Sequence, residues 1–270
     1  MEWSNWAQQG IDLERPSVAR MCDYFLGGAH NFAVDRQLAE AITGITPAVA
    51  DTIRAHRAFL RRAVRFLVDA GITQFLDIGS GIPTVGTVHD IARRTDPATR
   101  VVYVDIDPIA VSHSRVILAG DPRTAVIQAD ARDTDRILGD PEATQVLDLD
   151  QPVAVLLIGV LDYVPDAHDP VGIVDRLQAS VSRGSYFAMV NATRDNQPDE
   201  VLEAQKLLGR TGTPIHPRSR SELLSQFAGL TLVEPGLVHL PLWRPDSPLD
   251  VDGCPERFGA LAGIGRKDVA

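Results

Sequence analysis

Between Thr73 and Asn191 the chain alternates short apolar runs with stretches of helical periodicity, a pattern that few folds accept. The runs Thr73–Ile78, Arg100–Val104, Thr124–Gln128, Pro152–Gly159 and Ser185–Asn191 have the length and near-continuous apolarity of strands buried on both faces. Between them, Pro83–Arg94, Pro108–Ala119 and Val171–Ser182 read as helices. Asp107 stands as N-cap, Pro108 at the first helical position and Gly120 past the end. With right-handed crossovers, this predicts a doubly wound α/β fold around a parallel sheet. Upstream, a helix from Asp51 carries Ile53, Leu60, Ala63, Val64, Leu67 and Val68 on one face, with Gly71 as its stop. Arg54, Arg57, Arg61 and Arg65 line another face and read as a solvated surface. Downstream, Asp199–Leu208 and Ser219–Phe227 read as helices. Leu230–Val233, continuing through Val238–Trp243, and Phe258–Arg266 read as strands. The connection between these last strands is too short for a βαβ unit, so they fit an antiparallel ending on a seven-stranded, mostly parallel sheet. Residues 1–50 then form an accessory segment and 51–270 the main domain.

The most informative segment is FLDIGSGIPT at 75–84, which runs strand, glycine turn, helix start. Gly79 and Gly81 can take backbone conformations closed to other residues and let a ligand approach the main chain. Ligands of open α/β sheets bind beyond the C-terminal strand ends, where this turn falls. A dinucleotide fingerprint would need glycine at 84, but Thr84 stands there after Pro83. A phosphate-cradling P-loop would need a following lysine, and Lys206 and Lys267 are the only two in the chain. Asp77, at the end of an apolar strand, suits a cationic amino group or a role in holding the turn's amides. Asp105 ends the second strand, where an acid can accept both hydroxyls of a ribose. Asp130 ends the third, placed for an exocyclic amine. Singly each is an ordinary loop residue. Together, beside the glycine turn, they describe an adenosine-containing ligand without phosphates.

Composition excludes several classes. The formal net charge of −10 argues against nucleic acid as the main partner, because such binding rests on clustered positive charge. Cys22 and Cys254 are the only cysteines, in no metal or redox spacing. No basic leader with an apolar run opens the chain, and no stretch reaches the ~20 apolar residues of a membrane span, so a soluble, cytoplasmic protein is expected. The seven histidines show no zinc spacing, and Asp130, Asp133 and Asp135 read as an acidic turn rather than a divalent-cation site, so no metal is expected.

The order D-x-G-x-G, V-D-I-D, Q-A-D, then an apolar strand ending in a loop, resembles the class I S-adenosylmethionine (SAM)-dependent methyltransferases, with their Rossmann-like fold. RPSVARMCDYFLGGAHNFAVDR at 15–36 is similar to the opening motif of one actinobacterial family, once a domain of unknown function and now described as S-adenosyl methyltransferases. RAFLRRAVR at 57–65, the glycine segment with His89, EPGLV at 234–238 and WRP at 243–245 fit the same family. The resemblance covers almost the whole chain. It implies SAM as cofactor, S-adenosylhomocysteine as product, and little about the acceptor. It implies that Asp77, Gly79 and Gly81 line the methionine end of SAM, that Asp105 takes the ribose and Asp130 with Ala131 the adenine edge, and that Ser80 and Ile106 bind the cofactor beside them. Gly159, Val160 and Leu161 would pass near the sulfonium. Where the family favours histidine after the fourth strand, this chain has Asp162.

Methyl transfer is dominated by alignment and need not use a base. If one acts, Asp162 and Tyr163 are placed to face the methyl group, although Asp162 serves equally well as a cap on the turn that follows. In the N-terminal segment, Asp23, Tyr24, Gly27, Gly28, His30 and Asn31 form either a structural loop or a lid over the cofactor, and the resemblance tips the balance to the lid. Methylation of a small-molecule acceptor ranks first. A SAM-binding sensor that has lost catalysis and an NAD-dependent oxidoreductase follow in that order.

Overall fold

Five apolar strands build the parallel part of one sheet: β1 (Gln74–Ile78), β2 (Arg100–Asp105), β3 (Thr124–Gln128), β4 (Ala154–Ile158) and β5 (Tyr186–Ala192). The computed structural model describes residues 14–83, 86–210, 212, 214–247, 251 and 253–268. Three helices precede the sheet: α1 (Val18–Phe25), α2 (Ala33–Ile45) and α3 (Val49–Asp69). Between the strands lie α4 (Val88–Ala92), α5 (Pro108–Ile117), α6 (Thr134–Gly139), α7 (Pro141–Val146) and α8 (Pro170–Ser180). After β5 come α9 (Asp199–Arg210), α10 (Arg220–Ser225), β6 (Thr231–Leu232), β7 (Val238–His239) and β8 (Ala260–Arg266).

The strand order is β3-β2-β1-β4-β5-β8-β6, with β7 also paired to β8, and β8 antiparallel to β5. The sheet therefore has the predicted class and ending, but eight strands rather than seven. The stretch 230–243 is not one strand: it pairs with β8 as β6 and again as β7, and Leu240–Leu242 then turns into a 3₁₀ helix. Alternate side chains feed two cores. Phe75, Tyr103, Leu156 and Val190 face α3, α4 and Trp243, while Leu76, Val104, Leu157 and Met189 face α7, α8 and α10. Trp243 is fully buried against Phe59 and Phe66, and Arg62 donates to its carbonyl at 2.8 Å. At the far edge, Arg115 of α5 donates from Nε and Nη2 to the carbonyl of Val126 on β3, at 3.2 and 3.1 Å.

Other departures have local causes. The helix expected over Pro83–Arg94 reaches only Val88–Ala92: Gly86 has φ +63°, and Thr87 accepts from Asp90 N as the cap. Thr84 lies outside the described residues. Helices α6 and α7 have six residues each, too short to show a periodicity, and are started by the side chains of Asp133 and Asp140. Helices α1 and α2 share a small core with α9 through Met21, Leu38, Ile42 and Leu208, so the N-terminal segment packs against the main domain. No described helix is long and apolar enough to cross a membrane.

The chain passes from β1 to β2 and β3 on one side and then crosses back to β4 on the other side of β1, which opens a crevice at the C-terminal strand ends where the order reverses.

Candidate functional site

A cavity of about 720 Å³ occupies that crevice, within the usual range for small-molecule sites. Its floor is the glycine turn. Gly79 N and Ser80 N donate to Val104 O at 2.7 and 3.1 Å, which folds the chain back over β2. Gly79 has φ +72°, and a Cβ there would stand 2.3 Å from Val160 Cγ2, so no other residue fits. Gly81, at φ +67°, would meet only Arg57 Nη2 at 3.7 Å, leaving open space against its backbone.

Three carboxylates ring the floor. Asp77 is 5% exposed, lines the cavity and makes no hydrogen bond among the described residues. Burial pushes its pKa up to about 7, against the Arg57 guanidinium and with a small further push from Asp105. Asp105 accepts from Gly81 N at 2.7 Å and Asp107 N at 2.8 Å. Burial raises it to about 6 despite those donors. Asp130 is held below the carboxylate range by Arg132, whose Nε donates to both of its oxygens. Ile106 lies on the rim with its side chain 62% exposed, unusual for a large apolar group. Gly159, Val160 and Tyr163 close the side beyond β4, and Ala131 sits beside Asp130.

Several expected residues lie elsewhere. Leu161 is fully buried in the core under α8 rather than at the cavity. Asp162 also turns away. Its Oδ1 accepts from Ala192 N at 2.7 Å and its carbonyl from His216 N at 2.7 Å, tying the loop after β4 to the end of β5. Its pKa rises to about 7 through burial, but it does not line the cavity, so neither the base nor the cap expected of it describes its place. Arg218 braces the same loop from inside, donating to Leu161 O, Val164 O and Asp166 Oδ1.

None of Asp23, Tyr24, Gly27, Gly28, His30 and Asn31 lines the cavity. Asp23 is buried and accepts from His30 N at 2.7 Å and Asn31 Nδ2 at 2.9 Å, and a Cβ at Gly28 would collide with its carboxylate. Tyr24 bonds Glu40, and the His30 ring meets His113 of α5 edge-on at 4.1 Å. These residues form a turn held together through Asp23 Oδ2 and docked on α5, with Asp23 Oδ1 and His30 Nδ1 buried and without a hydrogen bond among the described residues. The wall over the cavity is built instead by Arg15–Cys22, clamped by a buried ion pair between Arg20 and Asp35 at 3.0 Å.

The sequence reading also passed over Ile53, His56 and Arg57, all on the cavity side of α3. Within the arginine stripe, Arg54 pairs with Asp51, and Arg61 and Arg65 pair with Asp246 at the surface, whereas Arg57 points into the site. Their spacing is the same; what differs is that α1 lies over one part of the helix.

The architecture has relatives. A crystal structure of a candidate methyltransferase from Thermobifida fusca is 39% identical, covers 98% of this chain and 100% of that one, and superposes with a TM-score of 0.90. A DUF574 family protein from Streptomyces avermitilis is 40% identical, with 95% and 99% covered and a TM-score of 0.91. Human N-acetylserotonin methyltransferase in complex with SAM is 12% identical with a TM-score of 0.51, covering 95% of this chain and 64% of that one, a likeness of fold alone. No curated protein matches the chain. A family model described as S-adenosyl methyltransferase matches residues 4–268. The chain belongs to the S-adenosyl methyltransferase family, and SAM is its methyl donor.

Proposed function

We propose that this protein transfers the methyl group of SAM to a small-molecule acceptor inside the cavity at the ends of β1, β2 and β4. The observation that carries the placement is the carboxylate of Asp77, nearly buried and without a hydrogen bond among the described residues. A buried carboxylate with no partner favours a cation, and the ammonium of SAM's methionine end supplies one. Arg57, across the open space at Gly81, takes the carboxylate of the same end. Asp105 holds the ribose hydroxyls with the oxygen capacity left by its two backbone donors. Ile106 lies against the adenine face, and Asp130 with Ala131 meets its edge. Gly159 and Val160 flank the sulfur. When bound, SAM supplies a methyl carbon made electrophilic by the sulfonium. The chain orients it and, with Arg15–Cys22 as a wall, keeps water from it.

The deciding measurement is calorimetric titration with SAM, S-adenosylhomocysteine and NAD. The first two are expected to bind and NAD is not; binding of NAD alone would reject the placement. Asp105→Ala is expected to weaken SAM binding about 10- to 100-fold, because hydrogen bonds to a charged group contribute about 1.5–3 kcal/mol. Circular dichroism of this variant should match the wild type. Unchanged affinity in a folded variant would remove Asp105 from the ribose.

A further inference from the structure

His56 stands on α3 one residue before Arg57 and lines the cavity. Its Nδ1 lies 2.8 Å from the carbonyl of Thr52. A carbonyl only accepts, so Nδ1 carries the proton, and in the neutral ring Nε2 keeps its lone pair. That edge of the ring faces the end of β4: a Cβ built on Gly159 would stand 3.6 Å from His56 Cδ2 and 3.7 Å from Nε2. Burial lowers the ring's pKa and the neighbouring Arg57 charge acts in the same direction, while donation to Thr52 opposes both. The imidazole is therefore neutral at physiological pH.

Two other titratable groups at this end of the cavity, Cys22 and Tyr163, have no site free for a proton at neutral pH. Burial pushes the Cys22 thiol on α1 up to about 11. Tyr163, after β4, is raised well above the ordinary phenol range by burial, Cys22 and Asp162. Both keep their protons at neutral pH. Asp105 is engaged by Gly81 N of the glycine turn, Asp77 is assigned above to the ammonium of SAM, Asp130 is held by Arg132, and Asp162 does not line the cavity.

We propose that His56 takes the proton from the methyl acceptor, and that the acceptor reacts through a hydroxyl oxygen; this rests on the placement of SAM described above. An unprotonated amine, such as an arylamine, attacks with a lone pair it already has and can shed its proton afterwards. A hydroxyl is a poor nucleophile until its proton begins to leave, so a neutral imidazole poised beside the transferring carbon serves an oxygen. The acceptor oxygen forms the bond to the methyl carbon, the carbon–sulfur electron pair stays on sulfur, and the hydroxyl proton passes to Nε2. The positive charge thus moves from the sulfonium to the imidazolium, which Thr52 O stabilises through Nδ1–H.

The test uses the full-length protein with labelled histidines, and His56→Gln both to assign the ring and to remove it. Nuclear magnetic resonance of the wild type should show His56 protonated on Nδ1 and titrating below the usual value of about 6.5. His56→Gln should bind SAM and S-adenosylhomocysteine as the wild type does. On phenol, which like a tyrosine side chain ionises near pH 10, its methyl transfer from SAM should fall about a hundredfold or more. On para-nitrophenol, already ionised above neutral pH, the loss should be much smaller, a split that a purely structural role would not produce. Equal losses on both phenols, no loss on either, or an Nε2-protonated ring overturns the proposal. So does a wild type that binds SAM yet methylates no phenol. A wild type that binds no SAM instead brings down the cofactor placement.

Discussion

Replacing Asp77 by Asn is expected to weaken SAM binding at least about thirtyfold while making the empty protein more heat-stable above neutral pH. The first effect follows from the lone carboxylate: removing one partner of a buried charge pair costs about 2–5 kcal/mol. The second follows from its pKa, which is about 7 in the folded protein against about 3.9 in an unfolded chain. Between those values the folded state holds a proton that the unfolded state has released. This group's contribution to stability therefore falls as pH rises from about 4 to 7, and the deficit is complete above that. Asp105, raised to about 6, adds to it with the same sign. Asn carries no such penalty, so the variant's Tm should exceed the wild type's at about pH 8 and match it near pH 4. In the wild type, SAM affinity should climb as pH is raised through about 7, since only the ionised carboxylate attracts the ammonium. Calorimetry with adenosine, which lacks the methionine end, provides the control: its binding should be indifferent to the substitution. Equal weakening of adenosine and SAM would mean that Asp77 serves the fold of the glycine turn and not the ammonium.

Asp35→Ala is expected to be the most destabilising single change in the N-terminal segment. Asp35 is fully buried, faces Arg20 at 3.0 Å and accepts from Ser17 N at 2.9 Å and Phe32 N at 2.8 Å. Its removal strands the Arg20 charge away from water and frees two backbone donors, a loss of about 3–5 kcal/mol. For a domain of this size that lowers Tm by about 6–20 °C. Because Ser17 and Arg20 also belong to the cavity wall, SAM affinity should drop with it, and trypsin should cut sooner after Arg20. The double change Arg20→Met with Asp35→Leu should regain much of the lost stability, as apolar replacements of buried pairs often do. A single variant that melts with the wild type would show that the clamp is dispensable.

Strands, glycine turn and the acids at the strand ends were legible because each depends on neighbours in sequence. An all-apolar run can only be a buried strand in this alternation, and Asp77 interrupts one at its end. His56 and Arg57 were not legible, because an amphipathic helix writes cavity-facing and solvent-facing polar positions alike. The difference is made by α1 folding across α3, a contact between distant parts of the chain. For the same reason the polar cluster 23–31 suggested a lid, while its backbone and amide donors turn in on Asp23 and the preceding residues form the wall. Asp162 reads as a site residue from its place after β4, and only the position of Ala192 N reveals that it faces the other way.

The two ends of the sheet have a bearing on how the protein behaves when it is concentrated. An open strand edge invites a neighbouring chain to add its own backbone, the first step toward ordered aggregation. On one side, the outer flank of β8 is covered by two strands of only two residues each, too short to template a partner. On the other, the guanidinium of Arg115 occupies the outward carbonyl of Val126 at the middle of β3, so an incoming strand would have to displace a charge. Neither flank offers a continuous ladder, and the protein's colloidal behaviour is left to long-range repulsion from its net charge of −10.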